Sequence, residues 1–170
     1  MVLSSKPNEL DVFPSIKIIG GGLSNDANHI SGPSRTGMEL SVAVRQALRE
    51  AQKTSTEIDF ISAHGTATVF NDEMEAKAFY SLGMENIPLN SLKGYFGHTL
   101  GAAGVVETIM SVHSLLNNEV LASKGFDKLG VSQSINVCKE LIKKPLASCL
   151  KTASGFGGCN AAIILQKDSY

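Results

Sequence analysis

Short apolar runs alternate with amphipathic stretches through the middle of this chain, and nearly every run ends on a glycine or on a polar residue with chemistry of its own. Residues 15–23 carry Ile16, Ile18 and Ile19 and then three consecutive glycines, the composition of a strand whose end must come close to other backbone. From 35 to 53, Met38, Leu40, Val44, Ala47, Leu48 and Ala51 recur at three- and four-residue spacing, which predicts an amphipathic helix. Residues 58–63 are a short apolar run that delivers His64, and 72–82 resume helical spacing through Met74, Ala78, Phe79 and Leu82. A strand at 87–92 delivers Lys93. The longest helix is predicted over 100–116, apolar on most faces and therefore buried, and Asn117 and Asn118 end it. Two further strands, 146–152 and 161–166, are joined by a glycine-rich link at 153–160 that suits a hairpin or a loop presenting backbone N–H groups. Residues 6–14 and 24–33 read as loops, and 120–144 as irregular. Strand and helix in alternation, closed by an antiparallel pair, give an α/β layered fold.

A chain of 170 residues can bury one good core. Its net charge of −1 supplies no global basic field to recruit nucleic acid or anionic lipid. No stretch approaches the ~18 continuous apolar residues of a spanning helix. The three cysteines, Cys138, Cys149 and Cys159, form no Cys-x-x-Cys pair, so reduced thiols and a cytoplasmic location are expected. The apolar opening Met1-Val2-Leu3 suggests a portion of something larger.

Chemistry concentrates in two small-residue segments, His64-Gly65-Thr66-Ala67-Thr68 and the stretch 93–104, which holds Lys93, His98 and four glycines. Ligands of open α/β sheets bind at the carboxyl ends of strands, which favours a site at His64; a satisfied strand-end histidine is the plain alternative. Thr66 and Thr68 suit either a ligand amide or a helix cap. His98, read as the start of the long helix, meets exposed N–H groups and a helix dipole that disfavour its second proton, leaving a neutral donor for a developing oxyanion. Gly101, Ala102, Ala103 and Gly104 suggest tight helix packing. Glu75, on the helix after His64, is the kind of carboxylate a buried lysine such as Lys93 would need, a pairing that composition alone does not establish. No phosphate-loop pattern occurs, and His29, His64, His98 and His113 lack the i, i+4 spacing of a metal site.

Three segments in order resemble the C-terminal half of the β-ketoacyl-(acyl-carrier-protein) synthases of the thiolase-like superfamily: Ser62 to Thr68 with Asp72 and Glu75 after it, Lys93 to Gly104, and Gly155 to Asn160. The resemblance covers nearly the whole chain. It implies half of a thiolase-like fold: a mixed β-sheet of about five strands with helices on both faces, residues 1–170 forming one domain. It also implies decarboxylative Claisen condensation, in fatty acid or polyketide-type synthesis, of a malonyl thioester with an acyl group held on a cysteine. His64 and His98 would be the catalytic histidine pair and Lys93, ion-paired with Glu75, the family's lysine. Thr66 and Thr68 would hold the pantetheine arm, and Phe156 and Gly157 would contact substrate, Phe156 as the gating residue. No cofactor of its own is implied beyond the phosphopantetheine carried by an acyl carrier protein. The implied partners are that carrier, an N-terminal half and a second copy in a homodimer.

Departures accompany the matches. No segment resembles the family's nucleophile loop, and Cys159 stands where threonine is common, so the cysteine-bearing half is expected outside these residues and the fragment alone should neither condense substrates nor stay monodisperse. Phe96 and Ser154 replace a usual threonine and a frequent aromatic. A thiolase-like acyltransferase without decarboxylation and a non-catalytic chain-length partner are the rival readings. The two histidines with lysine speak against both.

Overall fold

The computed structural model describes residues 3–5 and 15–168, and the loop expected at 6–14 lies outside them. Seven strands and four helices follow in the order β1 (Ile16–Asn25), α1 (Met38–Glu50), β2 (Phe60–Ser62), α2 (Val69–Ser81), β3 (Leu89–Asn90), α3 (Lys93–Phe96), α4 (Ala103–Asn117), β4 (Glu119–Val120), β5 (Ile142–Lys143), β6 (Ser148–Gly155) and β7 (Cys159–Lys167). Five of the strands form one mixed sheet in the order β1-β7-β6-β2-β3. β1 and β6 flank β7 antiparallel, while β6, β2 and β3 run parallel to one another. The predicted hairpin is β6–β7, closed by the register pair Gly155 and Cys159.

Period-two alternation divides the core between the two faces. Ile61, Leu150, Ala162 and Ile164 point toward α1 and α2 and bury Leu40, Ala43, Val44, Met74 and Phe79. Phe60, Cys149 and Leu165 point the other way and close with Leu115 of α4 and Val120. Helices therefore cover both faces, as expected.

The glycines after Ile19 explain how α1 lies so close to β1. A Cβ at Gly20 would sit 2.2 Å from the Ala47 carbonyl and one at Gly22 2.0 Å from that of Ala43, whereas one at Gly21 would meet nothing nearer than 3.7 Å. Alternate glycines face the helix. The corresponding expectation for Gly101 and Gly104 is not met: a Cβ there would touch nothing within 4 Å.

Most differences from the sequence reading lie at element ends. α2 begins at Val69 rather than 72, because the Asp72 N–H already closes on the Thr68 carbonyl at 3.0 Å. The irregular 120–144 segment contains β4 paired with β5, and it covers the free edge of β3 through Leu89 N–H to Asn136 O and Cys138 N–H to Leu89 O, both 2.8 Å. An edge strand of two residues is thereby protected from pairing elsewhere.

Candidate active site

The three parallel strands β2, β3 and β6 all run out at one edge of the sheet. Ser62 is level with Asn90 and with Lys151. His64 therefore leaves β2, and Lys93 follows β3, at the same carboxyl edge. β6 continues four residues past Lys151 to Gly155, so the hairpin tip with Phe156 and Gly157 overhangs this edge.

His64 is held from both faces of the sheet. From the α2 side, Glu75 accepts the N–H of His64 at 2.8 Å and that of Gly65 at 2.7 Å, together with the Asn71 amide and the Thr152 hydroxyl, each at 3.2 Å. From the α4 side, the Lys93 ammonium donates to the His64 carbonyl and stands 3.3 Å from its Nδ1. An ammonium offers only donors, so Nδ1 must accept. The ring proton of His64 is consequently on Nε2.

The carboxylate that pairs with Lys93 is Glu107, not Glu75. Lys93 Nζ lies 2.6 Å from Glu107 Oε1, and a second lysine, Lys151, lies 2.7 Å from Oε2. The expected Lys93–Glu75 pair fails because α2 and α4 pack on opposite faces of the sheet. Glu75 instead fixes the backbone of the histidine. Burial pushes the Glu75 carboxyl up from its ordinary value, against the Gly65 and His64 N–H groups that converge on it and the nearby Lys151.

Burial, then Lys93, Lys151 and His98, hold the His64 imidazole down to about 3. It is neutral across the physiological range. His98 meets it edge to face, the ring centroids 5.2 Å apart and the planes at 80°. The two rings come together as expected, yet His98 does not start the long helix. Left-handed Thr99 and Leu100 (φ 55° and 48°) and a short 3-10 turn at Leu100–Ala102 separate it from α4. A helix dipole acts within about the first turn, so the dipole effect expected on His98 from its position in the sequence does not apply.

Thr66 and Thr68 share a hydroxyl contact of 2.8 Å, and neither hydroxyl caps α2. Asp72, in the first turn of α2, reaches back to accept the Thr66 N–H at 3.2 Å and so ties down the loop before the helix. Phe156 is 84% exposed, and the Gly157 N–H already donates to the Ile30 carbonyl at 2.7 Å. Ser154 donates to Asn160 at 2.8 Å and so ties the two strands of the hairpin together. Of the thiols, Cys138 and Cys149 are buried and pushed up to about 11 and about 12 by that burial, while Cys159 is exposed beside the Asn25 amide at 3.6 Å.

Glu107 and Lys151 were missed in the sequence, although both left a signal. Glu107 is the only charged residue between Lys93 and Glu119 other than titratable His98 and His113, set inside an otherwise apolar helix. Lys151 interrupts an apolar strand. Two opposite charges, each in a segment expected to be buried, are candidates for each other.

A neutral His64 gathered with His98 and Lys93 at the carboxyl edge of a mixed five-stranded sheet places the chain among the thiolase-like condensing folds. Residues 16–127 match the family described as β-ketoacyl synthase, C-terminal domain, and the chain belongs to that family. It is 36% identical over 155 residues to the 3-oxoacyl-[acyl-carrier-protein] synthase 2 of Rhizobium meliloti (strain 1021), a match covering 89% of this chain and 37% of that protein. A β-ketoacyl synthase from Burkholderia phymatum STM815 superposes with a TM-score of 0.85 at 26% identity, over 91% of this chain and 38% of that one. A type II polyketide ketosynthase solved in complex with its acyl-carrier protein gives 0.86 at 27% identity, over 91% and 39%. The chain thus spans less than two fifths of the length of these relatives.

Proposed function

We propose that this chain is the histidine-bearing half of a 3-oxoacyl-(acyl-carrier-protein) synthase, residues 1–170 serving as one domain that works with a cysteine-bearing half. The observation that carries the reading is the neutral His64, its proton directed to Nε2 by Lys93, edge to face with His98 at 5.2 Å.

In the proposed reaction a malonyl thioester, presented on the phosphopantetheine arm of an acyl carrier protein, places its thioester oxygen between the two imidazoles. The bond to the carboxylate breaks, carbon dioxide leaves, and its electron pair passes into the enolate. N–H donors of both rings meet the developing oxyanion, and the neutral His64 donates without surrendering its proton, because a neutral imidazole is a poor acid. The enolate carbon then attacks the acyl thioester on the cysteine of the other half, and the thiolate departs. Lys93 and Lys151 add positive charge behind the donors. Thr66 and Thr68 would hydrogen-bond the amides of the arm, and the exposed Phe156 would act as the gating residue for the acyl chain.

The test is decarboxylation of radiolabelled malonyl-carrier protein by the enzyme containing both halves. His98→Ala should lower turnover by about 10²–10³-fold, the usual effect of removing one oxyanion donor. Unchanged turnover would overturn the assignment.

A further inference from the structure

Lys151 is a buried lysine in the middle of a strand, its side chain only 2% exposed. An apolar side chain of similar length would fill the same space without the desolvation penalty, so packing does not account for the ammonium. Its acceptors do. It is ion-paired with Glu107 Oε2 at 2.7 Å, and it donates to the carbonyls of Ser62 at 3.3 Å and Ala63 at 3.4 Å and to that of Thr152. Ser62 and Lys151 are the last register pair between β2 and β6. Where the backbone ladder stops, the ammonium donates to the carbonyls of Ser62 and Ala63, the segment that leads into His64.

We propose that Lys151 is a positioning residue for His64: it fastens the end of β2 to β6 and, by taking one oxygen of Glu107, leaves Lys93 available to His64 Nδ1. Lys93 then faces a carboxylate already shared with a second cation. Its remaining N–H groups stay on the carbonyl and Nδ1 of His64 instead of closing fully on Glu107, which keeps the imidazole in the Nε2–H form. The catalytic meaning of this role rests on the condensing-enzyme reading, whereas the role itself rests on geometry.

His64 is faced by Glu75 and Asp72 from α2, Lys93 from α3, His98 from the turn after it, Glu107 from α4 and Lys151 from β6. Among these, Lys93, Lys151 and His98 oppose a second proton on the ring. Removing Lys151 deletes one opposing charge and returns Lys93 to Glu107.

The full chain labelled with ¹⁵N and ¹³C at histidine and lysine tests this by NMR. In the unaltered chain His64 should show a single neutral Nε2–H tautomer at pH 7.5. In Lys151→Met, the pH of half-protonation should rise by about one unit or more and the Nδ1–H tautomer should appear. A folded variant with unchanged tautomer and titration would overturn the proposal, as would an equal shift in Lys143→Met, whose lysine side chain is 71% exposed. Should Lys151→Met not fold, the Lys151 Nζ resonance of the unaltered chain decides: a slowly exchanging ammonium supports the role, and a neutral amine at pH 7.5 refutes it. If the histidine signature holds while the two-half enzyme does not decarboxylate malonyl-carrier protein, the condensing-enzyme reading falls alone.

Discussion

At the scale of single residues, His64 is the centre of the site because every group around it acts on a different atom. Glu75 fixes its N–H, Lys93 its carbonyl and Nδ1, and the proton left on Nε2 is the one available to a substrate. This arrangement has a consequence for stability. An unfolded imidazole gains its second proton near pH 6.5, whereas the folded one resists until about 3. Between those values the unfolded state binds more protons, so stability falls as pH falls through the window, with a slope of up to about 1.4 kcal/mol per pH unit. Glu75, pushed up by burial, contributes with the opposite trend: stability falls as pH rises above its unfolded value. His64→Gln leaves that contribution in place, so denaturant midpoints from pH 6 to 4 should decline less steeply in the variant than in the parent chain. Equal slopes would mean that His64 is not held neutral.

At the scale of elements, the approach of α1 to β1 depends on which glycine faces the helix. Gly20→Ala and Gly22→Ala would each drive a methyl into a carbonyl of α1, at 2.2 and 2.0 Å, and should destabilise the chain by about 2–3 kcal/mol or more. Gly21→Ala, with its nearest neighbour at 3.7 Å, should change stability little by comparison. Urea unfolding of the three variants checks this, and a large loss at Gly21 would contradict the register given for β1. Helix periodicity, strand runs and the hairpin link were legible because each depends on neighbours in sequence. The start of α2 and the position of His98 were not, since they depend on left-handed residues and on a loop contact from Asp72 to Thr66 that spacing does not reveal.

At the scale of the whole molecule, large apolar side chains crowd the segments leaving the carboxyl edge. Phe156 is 84% exposed, Leu100 79%, Val69 76% and Phe70 73%. Under the proposed function this surface meets the cysteine-bearing half. Alone, the chain should sediment with a mass that rises with concentration. It should also form no acyl-enzyme with a radiolabelled acyl thioester, because two of its thiols are buried and the third, Cys159, is held at the hairpin beside Asn25. Stoichiometric, hydroxylamine-sensitive labelling of Cys159 would contradict the division of labour between the halves. Among the described residues, no helix is long and apolar enough to cross a membrane.

The sequence by itself determined the alternation of elements, because local periodicity carries it; the five-stranded mixed sheet with helices on both faces followed from the family resemblance of its contiguous motifs, as did the expectation that His64, Lys93 and His98 form a set. Only the tertiary structure decided which carboxylate serves which cation. Glu75 and Glu107 are both acidic residues inside helices, and nothing in their spacing says which helix covers which face. The sheet settles it: α4 brings Glu107 to the face shared by Lys93 and Lys151, while α2 leaves Glu75 on the other, where a carboxylate meets the backbone of His64 instead of a lysine.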